Sequence, residues 1–128
     1  RIVAEATSLR HASPGTAGRM GLLCLRDNEW VCGAVSEAWL AARGDLPARK
    51  KQLSGLLETH VAACCDYVAK EATTCTPVTP LSLLTTLLNL LEHLLDRDYL
   101  PHEGIEDAQR TDYAFSFACT WAFALPLA

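Results

Sequence analysis

One arginine in a stretch rich in glycine and proline is the strongest candidate for chemistry in this sequence. Residues 12–21 contain three glycines, one proline and two hydroxyl side chains, a composition that gives a short exposed turn rather than a long helix. Arg19 lies between Gly18 and the apolar run Leu22–Leu25. A guanidinium held at a loop-to-strand junction can bind a phosphate through two parallel hydrogen bonds. The alternative is an ordinary surface arginine that precedes a strand.

The remaining histidine and cysteine candidates favour structural roles. His60 falls on the apolar stripe of a helix, and no cysteine, serine or carboxylate is spaced to act as its partner, so we predict a core or boundary histidine. The cysteines form no C-x-x-C pair, which argues against a zinc site, and a helix-rich chain differs from small disulfide-bonded scaffolds. We expect most of them to be small buried hydrophobes in a reducing compartment. They are Cys24, Cys32, Cys64, Cys65, Cys75 and Cys119.

Composition limits the partners that this chain can have. Its 128 residues are enough for one domain with a modest core. The formal net charge is −4 and the sequence has only 3 lysines, so we predict no binding to nucleic acid. The apolar stretches are interrupted by polar residues before they could cross a bilayer, so we also predict no association with a membrane. The sequence starts with an expected strand and without a methionine, and we interpret it as a piece of a larger protein.

Hydrophobic spacing predicts two short strands followed by four amphipathic helices. The strands are Ile2–Ala6 and Leu22–Leu25, and the second has the composition of a strand buried in a parallel sheet. Two strands cannot form a sheet alone, so they need partners outside this sequence. The four helices are predicted to begin near Asn28, Pro47, Pro80 and Glu106.

The helices are expected to pack as one bundle around a leucine-rich third helix. In the last helix, Tyr113, Phe117 and Trp121 are predicted to face inward. The expected core residues are Leu57, Val61, Leu84, Leu88, Leu91 and Trp121. The fold class is therefore mainly α, with the two strands ahead of a four-helix bundle.

The stretch around Arg19 resembles a signature of dynein heavy chains, located in their second AAA+ module. The family typically reads "FEV.DL..ASPATVSRCGMVY" there, and this sequence departs from it at positions 4, 8, 15, 17, 18 and 20. The residues kept in register are Glu5, Leu9, Ala12, Ser13, Pro14, Thr16, Arg19 and Gly21. The later helices are similar in their order, with Trp39 in the first, residues 78–95 in a leucine-rich helix and residues 113–121 in an aromatic helix.

This resemblance implies a fragment of an ATP-driven ring motor. Residues 1–27 would be the last strands of an AAA+ large subdomain, and residues 28–128 would be its helical lid. Arg19 would be the arginine that acts in trans on the ATP and Mg²⁺ of the adjacent module, a contribution worth roughly 10³–10⁵ in rate in comparable NTPases. Glu5 would lie in the sensor-I region of the module's own nucleotide site. The implied partners are adjacent AAA+ modules of the same heavy chain and, through distant regions, the microtubule. The implied location is cytoplasmic and cytoskeletal, in the axoneme of a cilium or flagellum.

The sequence lacks two features of an AAA+ nucleotide site, a phosphate-binding loop and a second-sensor arginine. No lysine follows a glycine, so the sequence has no phosphate-binding loop, and we expect this piece alone not to be an enzyme. No arginine lies between Lys51 and Asp96 to act as a second sensor, which agrees with a module that binds nucleotide without hydrolysing it. The alternative function is a non-catalytic helical interaction domain whose groove receives a partner helix.

Overall fold

The computed structural model describes residue 6 and residues 8–23, 29–96 and 104–127, and these are mainly helical. A one-turn helix, α1, precedes four longer helices. Their bounds are Pro14–Ala17 for α1, Glu29–Ala42 for α2, Pro47–Lys70 for α3, Pro80–Asp96 for α4 and Asp107–Cys119 for α5. A π-helical turn, Thr120–Ala124, continues α5. The expected series of four amphipathic helices is therefore present.

Local sequence signals account for where α3 and α4 begin. Pro47 and Pro80 are the first residues of these helices, where a proline loses no intrahelical hydrogen bond. The hydroxyl of Thr79 accepts from the backbone N–H of Ser82 at 3.1 Å, and the hydroxyl of Ser82 accepts from the N–H of Thr79 at 3.0 Å. This reciprocal pair satisfies two backbone donors at the start of α4.

The core lies between α3, α4 and α5. Leu84, Leu87 and Leu91 of α4 are fully buried, and so is Leu53 of α3. The wide apolar face of α4 packs against α2, α3 and α5, which makes α4 the central helix of the bundle. Five of the six predicted core residues are buried: Leu57, Val61, Leu84, Leu88 and Leu91.

The orientation of α5 corrects the prediction for its aromatic residues. Tyr113, Phe117 and Trp121 were expected to face inward, but they are 57%, 50% and 48% exposed. The helix instead buries the face that carries its alanines and two phenylalanines. Small residues at four-residue intervals let α5 approach α4 closely, and bulky rings in those positions would hold the two helices apart. The buried residues are Thr111, Ala114, Phe115, Ala118, Ala122 and Phe123.

The predicted strands are not found in the part of the chain that the structure describes. Leu22 and Leu23 have no regular secondary structure and are 61% and 85% exposed. The rest of that predicted strand, and residues 2–5 of the first one, lie outside the described residues. A strand needs a neighbour to accept its backbone hydrogen bonds, and the described residues form no strand that could pair with Leu22 and Leu23. The β-pairing that is present is one isolated antiparallel bridge between Thr74 and Leu127.

Candidate functional site

The segment around Arg19 folds into a capped single turn of helix. Ser13 is the N-cap of α1, and its hydroxyl accepts from the backbone N–H of Thr16 at 3.1 Å and lies 2.8 Å from the Thr16 hydroxyl. Pro14 takes the first helical position. The serine, proline and threonine that the sequence motif retains are thus the residues that build this turn.

The end of this turn fixes the backbone on both sides of Arg19. The N–H of Gly18 donates to Pro14 O at 2.9 Å, and the N–H of Arg19 donates to Thr16 O at 3.2 Å. A Cβ atom on Gly18 would lie 3.3 Å from Pro14 O, so a larger residue there would require a small shift of this carbonyl. Gly18, which departs from the family pattern, therefore packs closely against the first residue of α1.

The Arg19 side chain is exposed and available for an external partner. Among residues 6, 8–23, 29–96 and 104–127, none forms a hydrogen bond or an ion pair with its guanidinium. The helix α1 contacts none of the other four described helices, so the turn projects from the bundle. Glu5, the other predicted site residue, lies outside the described residues.

A buried ionic network at the α2–α3 connection was missed by the sequence interpretation. The guanidinium of Arg43 lies 4.8 Å from the centroid of the Trp39 ring. It pairs with the Asp45 carboxylate and, through Nη2, with Asp96 of α4 at 2.8 Å. The side chains of Arg43 and Asp45 are only 7% and 8% exposed. This contact therefore attaches the loop after α2 to the end of α4.

Arg49 extends the same network to α5. Its Nη1 lies 3.0 Å from Asp45 Oδ1, and its guanidinium forms a two-point contact with the Asp107 carboxylate. Hydrogen bonding to Arg43 is the main reason that the pKa of Asp45 lies below its usual value. Hydrogen bonding to Arg49 lowers the pKa of Asp107 in the same way. Ion pairs that link residues of different elements hold those elements in place, so we assign the network a structural role.

The thiols of Cys119 and Cys64 and the imidazole of His60 favour structural roles over nucleophilic ones. Burial, with a smaller effect of Cys64, raises the pKa of the Cys119 thiol to about 12, and burial also raises the pKa of Cys64. These groups stay protonated near neutral pH and are poor nucleophiles. His60 is exposed, and its ring centroid lies 5.8 Å from that of Phe115, at the boundary of the core. Within the described part of the chain, no His, Cys, Asp and Glu side chains cluster in a way that could bind a metal ion.

A partly apolar groove lies between α2 and α3. It has a volume of about 710 Å³. Its apolar lining includes Leu40 of α2, Leu57 and Val61 of α3, and Pro80 of α4. Carboxylates surround these apolar residues. We call it the α2–α3 groove. The alternative function predicted from the sequence, a groove that receives a partner helix, names no lining residues. The described helices include none with the length and apolarity needed to cross a membrane.

Comparison with known proteins identifies the family. The family model of the dynein heavy chain AAA lid domain matches residues 53–127. The chain is 31% identical over 123 residues to dynein axonemal heavy chain 11 of Sus scrofa and 31% identical to dynein axonemal heavy chain 17 of Homo sapiens. It is 24% identical to the dynein beta chain of the flagellar outer arm of Chlamydomonas reinhardtii.

These alignments cover nearly the whole chain but only a small part of each relative. Each spans 96% of this chain and 3% of the relative's length. No solved structure matches the chain. The matched region runs from Leu53 in the second turn of α3 to residue 127, so most of α3, together with α4 and α5, corresponds to the lid. The chain belongs to the dynein heavy-chain family and carries its AAA lid domain.

Proposed function

We propose that this chain is part of the second AAA+ module of an axonemal dynein, an ATP-driven motor that acts on microtubules in a cilium or flagellum. The relatives with 96% coverage carry the names of axonemal and flagellar dynein chains, which supports this assignment. In this proposal, residues 1–27 end the large subdomain of the module and residues 28–128 form its helical lid. Glu5 would lie near the nucleotide site of that module.

The observation that carries the proposal is the exposed Arg19 at the end of a capped turn. The turn keeps the serine, proline and threonine of the family signature, and the arginine that follows them extends from a backbone fixed by hydrogen bonds. A positioned guanidinium can stabilise the charge that develops on a phosphoryl group during transfer. In the assembled ring, Arg19 would approach the ATP held with Mg²⁺ by the adjacent module. The adjacent module would hold the nucleotide, and this chain would supply the cation.

Substitution of Arg19 in the intact motor tests this role. We expect Arg19→Ala and Arg19→Lys each to lower the steady-state ATPase rate by at least about tenfold, because lysine lacks the planar fork that binds two phosphate oxygens. The thermal unfolding of the motor should be unchanged, since substitutions of exposed side chains usually alter stability by no more than about 0.5 kcal/mol.

Arg10→Ala is the matched control, because Arg10 is an exposed arginine of the same projecting segment. It should leave both ATP turnover and unfolding unchanged. Normal turnover in the Arg19 variants would reduce Arg19 to a surface residue. Loss of turnover together with loss of stability would instead make it a structural residue.

We further propose that the lid packs against an adjacent AAA+ module through the exposed aromatic face of α5. We define this aromatic face by Tyr113, Phe117 and Trp121. The rings of Phe117 and Trp121 lie 6.0 Å apart, and no charged residue follows Asp112 in the sequence. Uncharged surfaces with clustered aromatic residues are typical of protein interfaces. This face is therefore the best candidate for the contact between modules.

A further inference from the structure

The α2–α3 groove has the size of a binding site for a helix. Its lining on α3 runs from Ser54 to Ala69 at intervals of three and four residues. At 1.5 Å per residue this row is about 22 Å long, which is the length of about four helical turns. The volume of about 710 Å³ is that of a site which receives several side chains. An amphipathic helix fills such a groove with apolar residues spaced three and four apart.

The charged residues of the groove are all acidic. Glu37 of α2 and Glu58 of α3 lie on its rim, and the described lining contains no lysine, arginine or histidine. Glu58 accepts a hydrogen bond from the Ser54 hydroxyl at 2.9 Å, an interaction that leaves its negative charge in place. Asp66 also lines the groove but pairs with Lys70 at 2.6 Å. Glu37 and Glu58 thus provide negative charge on both helices beside an apolar floor.

Gly33 leaves the backbone of α2 uncovered within the groove. It lies within α2, where glycine costs about 1 kcal/mol relative to alanine. A Cβ atom placed on it would meet no other atom within 4 Å, so packing inside the bundle does not require glycine here. Its position in the lining leaves the backbone of α2 open to a close approach from outside.

From these observations we propose that the α2–α3 groove binds a basic amphipathic helix of a partner protein. The helix would place leucine-sized side chains against Leu40, Leu57 and Val61, and it would place lysine or arginine residues beside Glu37 and Glu58. A second copy of this chain is a poorer occupant, since its net charge is −4. This inference is independent of the role of Arg19, because the groove and the α1 turn lie on separate elements.

Direct binding to a synthetic helix tests the groove. The probe is a labelled 18-residue peptide with leucines at i, i+3, i+4 and i+7 and with lysines on both sides of this apolar face. The control is the same peptide with glutamates in place of the lysines. We expect the 128-residue chain to bind the lysine peptide at least about tenfold more tightly in fluorescence anisotropy, because only that peptide complements the rim. Added salt should weaken this binding, since it shortens the screening length from about 10 Å at 0.1 M to 3 Å at 1 M.

Two variants locate the binding on the groove. Gly33→Leu places a side chain in the groove and should abolish binding, whereas Gly33→Ala should retain it, and both should keep the melting temperature of the parent chain or raise it. The double variant Glu37→Lys with Glu58→Lys should lower the affinity for the lysine peptide by at least about tenfold. The control Glu92→Lys with Glu106→Lys changes the net charge equally at exposed positions outside the groove and should leave the affinity unchanged.

Each contrary outcome overturns the proposal. Equal affinity for the lysine and glutamate peptides would show that charge complementarity does not select the occupant. Binding that survives Gly33→Leu in a folded chain would place the peptide elsewhere. Self-association of the chain that Gly33→Leu abolishes would make the occupant a second copy. None of these results depends on ATP turnover, so they are distinct from a failure of the Arg19 proposal.

Discussion

Asp45 connects three helices through two arginines. Its carboxylate contacts Arg43 at the end of α2 and Arg49 in the first turn of α3, and Arg49 in turn binds Asp107 of α5. With only 8% of its side chain exposed, Asp45 is shielded from water. Removal of one partner from such a network leaves the other charges without their hydrogen bonds.

We expect Asp45→Asn to destabilise the chain at pH 7 by about 1–3 kcal/mol, as loss of hydrogen bonds to charged groups does. The pKa values of Asp45 and Asp107 are lowered in the folded state, mainly by hydrogen bonds to Arg43 and Arg49. Their contribution is therefore present above the usual carboxyl pKa and is lost as the pH falls through the lowered values. The measurement is urea unfolding of the parent chain and of the Asp45→Asn variant from pH 7 down to pH 2.

The difference in the free energy of unfolding between the Asp45→Asn variant and the parent chain should shrink at the acidic end of that range. Asp66→Asn is the control, because Asp66 forms an exposed pair with Lys70, and it should change stability by no more than about 1 kcal/mol at any pH. A constant difference between the Asp45 variant and the parent chain across the range would show that ionisation of Asp45 does not stabilise the fold.

At the residue scale, the sequence singled out Arg19, whose role stays a prediction, but it did not indicate this network. Arg19 stands in a contiguous turn with its own hydrogen-bonding pattern, so local composition was enough to identify an exposed arginine. Arg43 and Asp96 are 53 positions apart, and their contact exists only after α2 and α4 have packed. Pairings over such distances depend on tertiary geometry, which no local pattern encodes.

At the scale of single elements, α4 carries most of the buried leucines of the bundle. Leu88 is 4% exposed and lies between Leu87 and Leu91, both of which are fully buried. The helix packs against α2, α3 and α5, so a cavity at this position would be bordered by side chains that cannot collapse freely.

Leu88→Ala should lower the free energy of unfolding by about 2–5 kcal/mol, which is the range for large-to-small substitutions in protein cores. Denaturant melts of the 128-residue chain provide the measurement. Asn89→Ala is the control on the exposed side of the same helix, and it should change stability by no more than about 0.5 kcal/mol. A loss below about 0.5 kcal/mol for Leu88→Ala would contradict burial of this face.

The elements differ in how well their sequence predicted them. The α4 helix has one apolar face and a proline at its start, so its period and its boundary both followed from the sequence. The α5 helix is apolar on two faces, and after Asp112 it has no charge to mark the side that faces water. The choice between its alanine face and its aromatic face was therefore made by the close packing with α4. The strand expected at Leu22–Leu25 needs neighbouring strands, and the part of the chain that the structure describes contains none.

At the scale of the whole molecule, the described chain has two kinds of exposed surface that a single folded bundle does not explain. One is the projecting turn with Arg19, followed by Leu22 and Leu23, which are 61% and 85% exposed. The other is the aromatic face of α5. The chain spans 3% of the length of the curated relatives that it matches. In the proposed motor, the adjacent AAA+ modules would cover these surfaces.

Phe117→Ser tests whether the aromatic face is covered in the parent heavy chain. In the isolated 128-residue chain we expect a small effect on unfolding, about 1 kcal/mol or less, since half of the Phe117 side chain is exposed. In the intact motor the same change should increase amide hydrogen exchange within α5, because it removes an apolar contact with the adjacent module. Tyr67→Ser is the matched control, since Tyr67 is 54% exposed on α3 and lies outside the aromatic face. Equal exchange in the Phe117 variant and the unmodified motor would show that the aromatic face is not an interface, and the lid would then contact its neighbours through another surface.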